Sequence, residues 1–262
     1  MGEEHRMSST SQSARRRKRA NVPKYQEIYE YLRTHIQDGT FPFRSFLPSE
    51  NQLCADFATT RPTVRKAVQY LGSQGYVQPI HGKGIQVIYR PRSSSLFFLS
   101  GIESLAEAGQ RIGTPVRTIL LSSTVETITQ TTARISGLAA GTQVLYLRRL
   151  RLLDERPAII DHNRFLRSVV PDIPRDAAET SIYAYLESAL GVRIATASRM
   201  ITIEAADELD RRHLDLGGLD CVGVTESLGF DASGVPFEYT RSHHVPETFG
   251  FISTAQRLPS HR

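Results

Sequence analysis

Hydrophobic residues in the first third of the chain recur every three or four positions, whereas further on they tend to alternate with polar ones. Between Lys24 and Asp38, Ile28, Leu32 and Ile36 fall at i, i+4 and i+8, with Tyr25 and Tyr29 alongside and Gly39 as a stop. That spacing predicts a helix. The segment LPSENQLCADF predicts a second, short helix capped by Ser49, with Leu53 and Phe57 four apart on its inner face. After a turn at Ala58 and Thr59, Val64, Ala67, Val68 and Leu71 predict a third helix over about Thr60 to Gln74. Pro62 falls in its first turn, where a missing N–H costs nothing, and Gly75 follows its end. YVQPI and IQVIY then read as two short strands around the turn HGKG.

From about residue 96 the pattern changes. PVRTILLSSTVET, QVLYLRRLRLLD, RPAIIDHNRFL, ASRMITIEAAD, CVGVTESLGFD and VPFEYTRSHHV read as about six strands, with LDERP and DASGVP as hairpin turns. SIYAYLESAL reads as an amphipathic helix with Ile182, Leu186 and Leu190 on one side. An antiparallel sheet with helices on one face is expected, so the chain as a whole is α+β. Two composition breaks divide it. Residues 1–22, rich in Ser and Thr and ending in the basic run Arg15 to Arg19, are expected to be a disordered tail. PRSSS at residues 91–95 is expected to link a first domain over 23–90 to a second over 96–260.

At 262 residues and 40% hydrophobic content the chain is long enough to bury two cores. No apolar run approaches the roughly 18 residues of a membrane-spanning helix, and the N-terminus has no apolar segment behind its charges. A cytoplasmic protein with no membrane partner is the expectation. Cys54 and Cys221 lack the paired spacing of a zinc or redox motif and read as free thiols. Charge is unevenly placed: residues 1–22 hold six Lys/Arg against two Asp/Glu, 23–90 eight against five, and 91–262 eighteen against twenty. The four lysines, Lys18, Lys24, Lys66 and Lys83, all lie in the first third. The front of the chain suits a polyanion, and the rest has another task.

Three helices and a hairpin, with the third helix's apolar stripe turned inward, give a winged helix-turn-helix. Thr60, Arg61, Thr63, Arg65 and Lys66 avoid the stripe and gather at the N-terminal half of that helix, the end that enters a major groove. Arginine forks onto guanine O6 and N7, and threonine reaches a phosphate or a thymine methyl. In the hairpin tip His81-Gly82-Lys83-Gly84 the glycines allow close backbone approach to DNA. A phosphate-binding loop is the rival reading of those glycines, but it needs a strand before them and a helix after them, and neither is predicted. KYQEIYEYLRTHIQDGTF, LPSENQLCADF, TRPTVRKAVQYLGSQGYV and HGKG resemble, without gaps over about residues 24–88, the DNA-binding domain of the GntR family of bacterial transcription regulators. The resemblance implies duplex DNA contacts at Ser49, Glu50, Asn51, Thr60, Arg61, Pro62, Thr63, Arg65, Lys66, His81, Gly82, Lys83 and Gly84, and a homodimer on a palindromic operator.

In the second region, Arg149 and Arg151 lie two apart on a strand and project from one face. They suit one phosphate group, but the spacing alone favours a salt-bridged sheet face. Asp161 with Asn163, and Glu226, Glu238, Tyr239 and Arg241, offer groups for sugar hydroxyls, although solvated strand faces carry such residues too. SIYAYLE, GVPFEYTRSHH and the arginine pair resemble the UTRA effector domain of the HutC subfamily, which has a chorismate-lyase-like fold. FLSGIESLAEAGQRIGTPV, IIDHNRFLRSVVPDI and PFEYTRSHHVPETFGFISTAQR resemble the trehalose operon repressors within it, which usually answer to a sugar phosphate. That resemblance implies effector contacts at Ser100, Gly101, Ser104, Arg149, Arg151, Asp161, Asn163, Tyr183, Glu226, Glu238, Tyr239 and Arg241. It implies no cofactor. His243 and His244 are adjacent and face opposite ways on a strand, so they do not share a metal, and His162 and His213 have no partner at ligand spacing.

An operator-binding regulator, a repressor released by a small sugar phosphate such as trehalose 6-phosphate, is therefore expected. The alternative is an enzyme of lyase-like fold with a DNA-binding appendage, using carboxylates such as Asp161 and Glu238 as acid and base. No Gly-x-Ser-x-Gly elbow supports it. A constitutive architectural DNA-binding protein, with no ligand response, is a third possibility.

Overall fold

A computed structural model of the chain describes residues 23–90, 97–99, 102 and 104–251. The expected tail over 1–22 and linker over 91–95 lie outside the described residues. The described residues form two compact units, 23–90 and 97–251.

The first unit is built from helices α1 (Lys24–Gln37), α2 (Glu50–Asp56) and α3 (Arg61–Ser73) and a hairpin of β1 (Val77–Ile80) and β2 (Gly84–Val87). Ile28, Leu32, Leu53, Val64, Ala67 and Leu71 are almost completely buried in one cluster, so the helical stripes read from the sequence are the core. Ser49 and Gln52 form a reciprocal capping box at the start of α2. Thr60 is the N-cap residue of α3, and Ala58, in the turn before it, takes a left-handed φ of 47°. The hairpin carries an addition that periodicity does not show. Phe46 bridges to Gln86, and Leu47 donates to the Ile85 carbonyl, so residues 44–47 run along β2 as a third ribbon.

The second unit centres on a six-stranded antiparallel sheet in the order β4-β5-β6-β9-β8-β7. Its strands are β4 (Val116–Thr127), β5 (Gln143–Leu153), β6 (Arg156–Leu166), β7 (Ile194–Ala205), β8 (Cys221–Asp231) and β9 (Pro236–His244). Both expected hairpin turns are present. Asp154 and Glu155 both take positive φ in the two-residue turn between β5 and β6. A short parallel pair, β3 (Phe97–Leu99) with β10 (Phe249–Phe251), was not expected.

Five helices accompany the sheet: α4 (Leu105–Ile112), α5 (Gln130–Ser136), α6 (Arg175–Glu179), α7 (Ile182–Ser188) and α8 (Glu208–His213). Helices cover both faces, which corrects the expectation of one. Leu145, Leu147 and Phe165 pack with Ala177, Ala178, Ile182 and Leu186 of α6 and α7 on one face. Leu150, Ile160, Val222 and Val224, with the opposite parity, pack with Leu209 and Leu214 at α8. The extra helices have only five to eight residues. That is too short for a helical period to stand out, and their stability comes from packing and caps.

Candidate functional site

In the first unit, the N-terminal half of α3 and the start of α2 form one exposed polar surface. The Asn51 side-chain oxygen accepts from Arg61 Nε at 3.1 Å, and the Glu50 carboxylate accepts from Arg65 Nε at 3.0 and 3.1 Å. Thr60 and Thr63 hydroxyls lie 3.1 Å apart. Glu50 and Asn51 thus aim the two arginines, whose remaining N–H groups stay available to a partner. Pro62 is exposed in the first turn, and Ser49 is taken up in its capping box. Lys66 is turned aside, its ammonium 3.9 Å from the centre of the Tyr25 ring on α1. At the hairpin tip His81, Gly82, Lys83 and Gly84 are all exposed, and the turn needs positive φ at Gly82 (71°) and Gly84 (113°).

In the second unit, a cavity of about 120 Å³ opens over one face of the large sheet. Its floor consists of cross-strand rows, because directly paired residues in antiparallel strands share a face. Arg149, Asp161, Ser242 and Thr225 form one row, and Leu147, Asn163, Thr240, Ser227 and Arg199 the next. Arg151, Ile159 and His244 form a third row. The walls come from Ser104, Leu105 and Ala108 at the start of α4 and from residues 180–183 entering α7.

On the β5, β6 and β9 side the polar groups bond to one another in an unbroken chain. Ser242 donates to Asp161 (2.6 Å), and the same carboxylate holds Arg151 Nε and Arg149 Nη2. Arg149 also donates to Asn163 (3.0 Å) and to the Ala178 carbonyl (3.3 Å). Asn163 donates to Thr240 (2.8 Å), Thr240 to Glu238 (2.7 Å), and Tyr183 to the other oxygen of Glu238 (2.9 Å). Burial opposes ionisation of Asp161, but Arg151 and Arg149 overcome it and hold the carboxyl well below the usual range. Burial raises Glu238 despite the bonds from Thr240 and Tyr183, and it also lowers Arg149 to about 9, which leaves the guanidinium charged at neutral pH.

Seven of the expected effector residues line this cavity: Ser104, Arg149, Arg151, Asp161, Asn163, Tyr183 and Glu238. Ser104 is also the N-cap of α4, where its hydroxyl accepts from the Glu107 N–H. Ser100 and Gly101 lie outside the described residues. Glu226, Tyr239 and Arg241 are corrections, because they sit on the opposite face of the sheet. Successive strand residues point to opposite sides, so Glu238 and Tyr239 cannot both face the cavity. Arg241 and Glu226 pair across β9 and β8 on that far side, where Arg241 also meets Glu204. His243 and His244 do face opposite ways. His243 bonds Asp210 at 2.9 Å on the far face, and His244 lines the cavity. The resemblance did not supply Arg199, Thr225, Ser227, Thr240 or Ser242. Their alternation with Met200, Val224 and Glu226 was the available signal.

Residues 24–87 match the model of the bacterial regulatory proteins of the gntR family, and residues 112–250 match the UTRA domain. The chain is a GntR-family regulator with a UTRA domain. Over 236 residues it is 33% identical to the HTH-type transcriptional regulator TreR of Bacillus subtilis, covering 90% of this chain and 98% of TreR. It is 23% identical to the HTH-type transcriptional repressor NagR of the same organism, covering 92% and 98%. The crystal structure of the possible transcriptional regulator YydK from B. subtilis shares its fold at a TM-score of 0.72 and 20% identity, covering 90% of this chain and all of YydK. GntR-family proteins of this architecture are transcriptional regulators, and the enzyme alternative finds no support among these relatives. No helix among the described residues is long and apolar enough to cross a membrane.

Proposed function

We propose that this GntR-family regulator is a cytoplasmic, homodimeric repressor of a carbohydrate-utilisation operon, released from its operator by a sugar phosphate bound in the UTRA cavity. The cavity carries the reading. Its lining sets three guanidinium groups against two carboxylates, one of which burial pushes toward its neutral form, among eight Ser, Thr and Tyr hydroxyls. An anionic, hydroxyl-rich small molecule complements that surface. On the DNA side, Arg61 and Arg65 read base edges, Thr60 and Thr63 grip the backbone, and the glycine-tipped wing approaches a groove. A single recognition helix reads one half-site, so a palindromic operator calls for two copies. Trehalose 6-phosphate heads the candidate effectors because the chain is 33% identical to TreR.

Effector and operator oppose each other reciprocally, with a coupling of about 1 to 3 kcal/mol. A gel shift with the protein's own promoter region tests the reading. The wild type should retard the fragment and release it when trehalose 6-phosphate or another hexose phosphate is added, and Arg65→Ala should not retard it at physiological salt. Retention of specific retardation by Arg65→Ala would remove α3 as the reading element.

A further inference from the structure

The six-stranded sheet ends in two edges, and they are built differently. β4, at one edge, is guarded in three ways. A bulge between Leu120 and Ser122 breaks its ladder, the Glu179 carboxylate accepts from the Leu120 N–H at 3.1 Å, and α6, which ends in Glu179, packs against Leu120. β7, at the other edge, has none of these. Its ten residues from Thr196 to Ala205 pair with β8 in unbroken register, and no described strand or side chain bonds its outer backbone. The strand holds no proline or lysine, and its two charges are engaged elsewhere: Arg199 lines the cavity, and Glu204 pairs with Arg241. Beside that bare backbone Met200 is 55% exposed and Ile203 79%, the highest value for a large hydrophobic among the described residues. A long, regular, apolar edge is a template for another strand, and proteins blunt such an edge, as β4 is blunted, unless it is to be paired.

We infer that β7 is the seam of the homodimer, where a second copy of this chain lays its own β7 antiparallel to the first and joins two six-stranded sheets into one. This deepens the proposed function and rests on its reading that two copies act together on a palindrome. A second copy fits the edge better than a foreign strand does, because the pairing closes. A two-fold axis sets the same surface against itself, so both bare edges are used up at once. The ends of the joined sheet are then the two guarded β4 edges, and growth stops at two copies. Side-chain parity fixes the kind of register. Ile203 lies four residues from the cavity-lining Arg199 and shares its face, whereas Met200 points to the other face. Directly opposed residues share a face, so the two sheets continue one another only when each β7 residue meets one of its own parity. The axis therefore passes through a residue and not between two. Centred on Met200 or Ile201 it uses nearly all of the regular run, and Met200 and Ile203 of both copies cover the new hydrogen bonds from opposite sides.

Sedimentation velocity of the full-length chain over a dilution series tests this. The wild type should sediment at twice the 29.3 kDa of one chain. Ile203→Lys sets like charges in a seam that excludes water and should raise the dimer dissociation constant by about 100-fold or more. Met200→Lys should act in the same direction. Both side chains are more than half exposed, so the variants should unfold at the wild-type temperature once all are diluted to monomer. Val125→Lys, on the β4 edge and 51% exposed, should remain dimeric. Wild-type dimerisation in both β7 variants, or dissociation of Val125→Lys in their place, would overturn the seam and leave the operator and effector readings standing. A monomeric wild type would overturn the seam and the homodimer together. Unchanged operator retardation by a monomeric Ile203→Lys would leave the seam in place and remove the palindrome reading instead.

Discussion

On the cavity face of the UTRA sheet a carboxylate, Asp161, sits between two guanidinium groups; on the far face a guanidinium, Arg241, sits between two carboxylates, Glu204 and Glu226. The residue types are the same and the strands are shared. What differs is burial. The side chains of the cavity-face triad are 4%, 5% and 13% exposed, whereas Arg241, Glu204 and Glu226 are 30%, 38% and 15% exposed. Charges taken out of water must be matched almost completely, while charges at the rim are screened and contribute little. The cavity face therefore carries an ion cluster the fold depends on, and the far-face cluster is partly solvated through Arg241 and Glu204. Function can be added to the buried cluster only at its edges, where donors remain uncommitted.

The largest expected effect breaks that contrast at its centre. Asp161→Asn leaves Arg149 and Arg151 without their shared carboxylate and should destabilise the UTRA unit by about 3 to 5 kcal/mol. Thermal unfolding should show it as a fall of roughly 10 °C, and an unchanged transition would mean the triad is not structural. A smaller loss is expected from Asp210→Ala on the far face. Asp210 is completely buried, bonds His243, and closes the capping box of α8 with Asp207. Its removal should cost about 2 to 3 kcal/mol while leaving effector affinity as in the wild type, because nothing it touches lines the cavity.

Acidification acts on both faces. Burial lowers His162 to about 4 on the far face, with the charges of His243, Asp161, Arg164 and Asp207 as smaller influences. Burial also lowers His244 to about 4 on the cavity face, near Asp161, Arg151 and His243. Both are neutral in the folded protein and charge near pH 6.5 when unfolded, so the unfolded state binds more protons between these values. Stability should fall as pH drops from 6.5 toward 4, by about 1.4 kcal/mol per unit for each histidine. Urea titrations across that window should show the slope. His162→Phe should remove about half of it, and a slope unaffected by that change would deny His162 its part.

The DNA-binding unit was more legible than the sheet, for a physical reason. In α1 and α3 a single apolar stripe decides which residues are buried, so Ile28, Leu32, Val64 and Leu71 declared the core and left Arg61 and Arg65 outside. Only tertiary links such as Glu50–Arg65, Tyr25–Lys66 and the pairing of Phe46 beside the wing stayed hidden, because they join residues far apart in sequence. In the sheet both faces are covered, so polarity no longer marks one side. Glu238 and Tyr239 both carry groups suited to a sugar, yet alternation forbids them a shared face. Nothing local distinguishes the cavity-lining Arg199 from a solvated edge residue. Its place beside Ser227 comes only from the β7–β8 register.

The smallest expected effect is the sharpest test of the two-face distinction. Arg241→Ala removes a guanidinium just as Arg151→Gln does, and the two arginines lie on opposite faces of the same sheet. Arg241 pairs with Glu204 and Glu226, so its loss leaves two carboxylates at a solvated rim, where water replaces the bond. Stability should change by less than about 1 kcal/mol. Effector affinity should not move, because the backbone of β9 separates Arg241 from the cavity. An equal loss of hexose-phosphate affinity in Arg151→Gln and Arg241→Ala would mean that the field of the whole domain, and not the guanidinium groups of the cavity face, attracts the anion.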